Sequence, residues 1–159
     1  MPHSMPLVLL VDNYLDNLEM YAEYLRAQGF RVIACSESKM SIDLARECVP
    51  DIILLELRMN HLNGFEVLAR LKREPALARV PVIALTASVL SFERAEAMAA
   101  GFVELLPKPC FPEDVATTIM RVLGATPPHP HSVPGADRRT DRQRRAGSRA
   151  PDASAHSAR

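Results

Sequence analysis

The stretch PDIILLELRMNHLNGFEVLARLK, Pro50 to Lys72, decides the fold of this chain. Its apolar run from Ile52 to Leu57 is interrupted only by Glu56 and follows Pro-Asp. A run this short, with no polar alternation before the acid, reads as a strand buried on both faces. Phe65, Leu68 and Leu71 then recur at helical spacing, so a helix follows the strand. A carboxylate at the C-terminal edge of a buried strand sits where open α/β sheets place their chemistry. Glu56 is therefore a candidate site residue, and its length decides what the site can do.

The same strand-then-helix unit repeats on both sides of this stretch. LVLLV (Leu7–Val11), FRVIAC (Phe30–Cys35), VPVIAL (Val80–Leu85) and FVELL (Phe102–Leu106) read as four further strands. Leu15, Leu18, Ala22 and Leu25 form the apolar stripe of a first helix, which Gly29 stops. Ser41–Cys48 gives a weaker second helix and Val89–Ala100 a fourth, with Met98 assigned to the core. The last helix opens with Pro112, Glu113 and Asp114, residues suited to a first turn. Val115, Ile119, Val122 and Leu123 supply its buried stripe. Alternating units of this kind imply a parallel sheet with helices on both faces.

Charge divides the chain in two. Residues 1–124 carry 12 basic and 16 acidic side chains, net −4; residues 125–159 carry seven Arg against three Asp, net +4. The second segment has no apolar periodicity and is rich in Pro, Ala, Ser and Arg. It lacks the apolar surface to offset chain entropy, so we expect a folded domain over 1–124 and a disordered tail over 125–159. No stretch approaches the roughly 20 apolar residues that span a bilayer, and the N-terminus lacks the features of a secretory signal. Cys35, Cys48 and Cys110 are widely spaced and suit reduced thiols better than a disulfide framework or a zinc site. The expectation is a soluble, cytoplasmic protein.

The strand ends carry the chemistry. Asp12 and Asn13 follow the first strand, Glu56 lies near the end of the third, Thr86 follows the fourth and Lys108 the fifth. In a parallel sheet these ends share one edge, so two acids, an amide, a hydroxyl and an ammonium converge there. Taken singly, an Asp or Thr after a strand is commonly a helix cap. Together they are harder to dismiss.

VLLVDN, PDIILLELRMNHLNGFEVL, VPVIALTA and the closing LLPKP resemble the receiver domain of bacterial response regulators, over about residues 5–124. The resemblance implies a flavodoxin-like, five-stranded parallel sheet in the order 2-1-3-4-5. It also implies Mg2+ held by an acidic pair and by an aspartate, which accepts a phosphoryl group from a sensor histidine kinase. A Thr or Ser and a Lys would contact that phosphoryl group. Asp12, Thr86 and Lys108-Pro109 match, the last with a typically cis peptide bond. Asn13 stands in place of the second acid and Glu56 in place of the phosphoacceptor aspartate. Asn60 and Asn63 replace the usual Pro and Asp of the loop. Leu105 occupies the position of an aromatic switch residue, and Phe102 lies three positions too early to substitute for it.

Each departure has a consequence. Magnesium favours hard oxygen ligands in near-octahedral geometry, so exchanging a carboxylate for the Asn13 amide weakens any site formed with Asp12 and Glu56. An Asn there also suits a helix cap. The extra methylene of Glu56 moves its carboxylate by about 1 Å, a displacement that can cost roughly 100-fold in a positioned reaction. Three readings of Glu56 stay open: inert pairing with Lys108, partial mimicry of the phosphorylated state by reaching Thr86 and Lys108, and slow phosphotransfer. Leu105 favours a fixed surface over a switch.

These residues point to a stand-alone, atypical receiver protein of two-component or phosphorelay signalling. It would act by binding a histidine kinase, another receiver or an effector, independently of phosphorylation. The alternative is a nucleic-acid-associated protein whose receiver fold supports the basic tail, where Asp137–Arg149 clusters six arginines. No aromatic interleaving, helix-turn-helix pattern or zinc spacing supports sequence-specific DNA recognition. His129 and His131 are weak evidence for a metal. No G-x-G-x-x-G, P-loop or nucleophile–base arrangement suggests an enzyme.

Overall fold

A computed structural model describes residues 5–87 and 91–124. The expected disordered tail over 125–159, and Val89 as the start of the fourth helix, lie outside the described residues. The elements alternate: β1 (Leu7–Val11), α1 (Leu15–Ala27), β2 (Arg31–Cys35), α2 (Ser38–Cys48), β3 (Ile52–Glu56), α3 (Gly64–Arg73), β4 (Val82–Thr86), α4 (Ser91–Ala100), β5 (Glu104–Pro107) and α5 (Pro112–Leu123). All strand pairs are parallel, in the order β2-β1-β3-β4-β5. The flavodoxin-like architecture read from the sequence is the one observed.

The period of two along each strand sorts the core into two layers. Leu9, Val11, Ile53, Leu55, Val82 and Ala84 pack with residues of α2, α3 and α4. Val8, Leu10, Ile52, Leu54, Ile83 and Leu85 pack with residues of α1 and α5. β3 and β4 are buried along their whole length, as an unbroken apolar run demands. Each fully buried Leu or Ile contributes about 1.5–3 kcal/mol relative to exposure.

Two stripe assignments are corrected. Leu15 is exposed in the first turn of α1, and Met98 is exposed on α4. The buried residues of α1 are Leu18, Tyr21, Ala22 and Leu25, so the core-facing stripe begins one turn later than the apolar spacing suggests. On α4 it is Ala97 that is buried.

Loop chemistry places the strand ends. Asn63 caps α3: its side chain accepts from the Glu66 N–H at 3.0 Å, while the Asn63 N–H donates to Glu66 Oε2 at 2.8 Å. Such a reciprocal box satisfies two otherwise orphaned donors. Gly64 lets the start of this helix lie against β3. A Cβ there would stand 2.8 Å from the Glu56 backbone oxygen and 2.9 Å from Leu57 Cα.

Candidate functional site

The parallel register brings the C-terminal ends of β1, β3, β4 and β5 to one edge. Val11 is paired with Leu55, Glu56 with Leu85, and Thr86 with Pro107. Asp12, Glu56 and Thr86 are all buried there. The backbone N–H of Lys108 donates to the Thr86 carbonyl at 2.7 Å, and the Lys108–Pro109 peptide is cis. The Lys108 side chain thus starts from the sheet edge.

Its ammonium ends between two carboxylates. Lys108 Nζ donates to Asp12 Oδ2 and to Glu56 Oε2, each at 2.5 Å. The side chains of Asp12, Glu56 and Lys108 are only 0%, 2% and 10% exposed, which makes this a buried charge triad. The remaining carboxylate oxygens also have donors: Asp12 Oδ1 accepts from the Tyr14 N–H at 2.9 Å, and Glu56 Oε1 from the Arg58 N–H at 3.0 Å. Burial alone would lower the Lys108 pKa, but the hydrogen bonds and charges of Asp12 and Glu56 outweigh it and hold it above the ordinary value. Lys108 is a permanent cation at neutral pH.

Asn13 behaves otherwise than expected. It does not cap α1: the N-cap residue is Tyr14, with no side-chain cap. Asn13 Oδ1 is buried without a hydrogen-bond partner. Asp12, not Asn13, takes the first N–H of this turn. Leu105 is buried against the α2–α4 side of the sheet, in one cluster with Ala97 and Phe102.

Two tyrosines that the sequence reading passed over complete the surroundings. The Tyr14 ring centroid lies 5.4 Å from Lys108 Nζ, within cation–π range. Tyr21, 2% exposed, donates its hydroxyl to the Cys110 carbonyl at 2.8 Å. Tyr14 precedes α1 as its N-cap, so helical spacing gave no signal for the pair. They line an open cleft of about 590 Å³ with Met20, Lys108, Phe111 and Pro112. Farther out, Glu104 of β5 accepts from Arg94 of α4 at 3.1 Å and from Arg121 of α5 at 2.9 Å.

Compared with known proteins, residues 8–120 match the response regulator receiver domain. The chain belongs to this family. DivK of Brucella anthropi, a polar-differentiation response regulator, is 32% identical over 124 residues, which cover 78% of this chain and 98% of DivK. The probable transcriptional regulator ycf29 of Pyropia yezoensis is 32% identical over 116 residues, 73% of this chain. The match spans about half of ycf29, 52% of its length. Among solved structures, the receiver domain of the sensor histidine kinase PA1611 from Pseudomonas aeruginosa is 27% identical, with a TM-score of 0.70. It covers 77% of this chain and 100% of that domain, whose active-site cleft holds a coordinated magnesium ion. The domain is thus a receiver of two-component signalling, a signalling module. No helix among the described residues is long and apolar enough to cross a membrane.

Proposed function

We propose that this receiver domain works without an acyl phosphate, as a protein-interaction module whose pocket holds its own cation. The observation that carries this is the Lys108 ammonium, held at 2.5 Å by both Asp12 and Glu56 inside the sheet edge. Glu56 stands at the phosphoacceptor position, Asp12 and Asn13 at the acidic pair, Thr86 and Lys108 at the phosphoryl contacts, and Leu105 at the switch. A phosphoryl donor needs a free carboxylate oxygen in line with it, yet both Glu56 oxygens accept hydrogen bonds and the side chain is 2% exposed. This supports inert pairing over mimicry of a phosphorylated state.

The same arrangement supports weak or lost magnesium binding. The two carboxylate oxygens that would face the ion hold Lys108 instead. The remaining family position offers only the neutral Asn13 amide, whose Oδ1 is unpartnered. No group of three or more His, Cys, Asp or Glu side chains among the described residues is arranged to hold a metal. A divalent ion would have to displace the ammonium and gather two carboxylates rather than three. Leu105, packed into the core, supports an interaction surface of constant shape. The partner class is a histidine kinase, another receiver or an effector protein.

Intact-protein mass spectrometry after incubation with magnesium and a small acyl-phosphate donor tests the proposal, with a conventional receiver as the positive control. We expect the control to gain a phosphoryl group and this protein to stay unmodified. A labile phosphoryl adduct mapped to Glu56 overturns it.

A further inference from the structure

We propose that Tyr21 of α1 and Tyr14, the N-cap residue of that helix, are positioning residues for the Lys108 ammonium, so that α1 and its cap hold the ammonium between Asp12 and Glu56. This rests on the reading of Lys108 as the pocket's internal counter-ion. Lys108 is a long side chain with about 2 kcal/mol of rotamer entropy, and its two salt bridges need it in one conformation. The start of the side chain is fixed by the Lys108 N–H bond to the Thr86 carbonyl. Two residues on, the Cys110 carbonyl is held by the buried Tyr21 hydroxyl at 2.8 Å. The Lys108–Pro109–Cys110 segment is thereby tied to β4 on one side and to α1 on the other.

At the other end of the side chain, Nζ sits over the Tyr14 ring, 5.4 Å from its centroid, and both residues line the cleft. The Tyr14 backbone N–H also donates to Asp12 Oδ1, which leaves Asp12 Oδ2 facing Lys108. The N-cap of α1 therefore orients the acid and lies beside the ammonium, while the second turn of the helix anchors the loop that carries the lysine. Tyr21 is electrostatically linked to the same groups. Burial chiefly raises its pKa; Cys110 and Asp12 add to the rise, while the Lys108 charge and the bond to the Cys110 carbonyl oppose it.

Competitive amine labelling of the full chain with trace acetic anhydride tests this, because Lys39, Lys72 and Lys108 are the chain's lysines and mass spectrometry resolves each. Lys39 is exposed and serves as the reference. In the wild type we expect Lys108 to label about tenfold or more slowly than Lys39. Tyr21→Phe removes one buried hydrogen bond and should speed Lys108 labelling about three- to tenfold, with Lys72 unchanged. Tyr14→Ala should speed it about two- to fivefold, and Tyr14→Phe, which keeps the ring, should restore the wild-type rate.

The outcomes separate cleanly. Wild-type Lys108 labelling at the Lys39 rate overturns the closed pocket itself. Lys108 equally protected in wild type, Tyr21→Phe and Tyr14→Ala overturns the positioning role and leaves the closed pocket standing. A parallel rise of Lys72 in Tyr21→Phe marks general loosening and removes Tyr21 from the proposal. Failure of Tyr14→Phe to restore protection removes Tyr14.

Discussion

Replacing Lys108 by Met keeps most of the length of the side chain, one heavy atom fewer, and removes its charge. The salt bridges are each 2.5 Å long, so Coulomb's law at an effective dielectric of about 20 gives about 6–7 kcal/mol of attraction per pair. Desolvation of three charges offsets most of this in the wild type, so the triad's net contribution is small. The variant loses the attraction and keeps two buried acids at the sheet edge. Removing one partner of a buried pair costs about 3–5 kcal/mol. That is a large part of the roughly 5–15 kcal/mol that stabilises a domain. The assay is urea unfolding followed by circular dichroism near neutral pH, with a double-mutant cycle through Glu56→Gln. Lys108→Met alone should fall by about 3–5 kcal/mol, and Lys108→Met/Glu56→Gln should recover about 1–2 kcal/mol as one acid is neutralised. A Lys108→Met variant within about 1 kcal/mol of wild type, with an unchanged m-value, would refute the buried triad.

Three further outcomes are expected. Glu56→Asp alone should remain unmodified by an acyl-phosphate donor, whereas Asn13→Asp/Glu56→Asp should take up a phosphoryl group in the presence of magnesium, as read by intact mass. The Lys108 pKa is raised in the folded protein by Asp12 and Glu56 against the opposing effect of burial. The stabilisation it gives is thus complete below about 10.4, the ordinary lysine value, and decays as pH rises through the folded value. The stability gap between wild type and Lys108→Met should accordingly be constant from about pH 7 to 9 and shrink above about 10.4; a gap that widens there contradicts the assignment. Gly64→Ala places a methyl 2.8 Å from the Glu56 backbone oxygen. It should cost about 1–3 kcal/mol and accelerate Lys108 labelling, since both clashing partners are backbone, of Glu56 itself and of Leu57 just after it.

Much of this was legible in the residues, for identifiable reasons. Unbroken apolar runs such as IILL and VIAL have few alternatives to a buried parallel strand, and all five strands appear where they were read. The edges moved where backbone hydrogen bonding decides. Phe102 was assigned to β5, but its N–H closes the end of α4 on the Ala97 carbonyl, and β5 starts at Glu104. Val80, read as the start of β4, belongs to the preceding turn, its N–H on the Leu77 carbonyl. The pairing of Glu56 with Lys108 followed from side-chain length and shared sheet position. That Asp12 joins the same ammonium did not, because it depends on the path of the Lys108 side chain between two strands. Tyr21 was passed over because an aromatic residue at helical spacing is usually core, and it is indeed buried. Only the aim of its hydroxyl distinguishes it.

An ammonium that belongs to the chain has no dissociation constant. A pocket that holds Lys108 receives this cation at synthesis, one per molecule, and no chelator can withdraw it. Dilution cannot remove it either, nor can a competing divalent ion take its place without first breaking two contacts at 2.5 Å. On the proposed reading, this sheet edge draws its cation from the gene rather than from the ions around the protein.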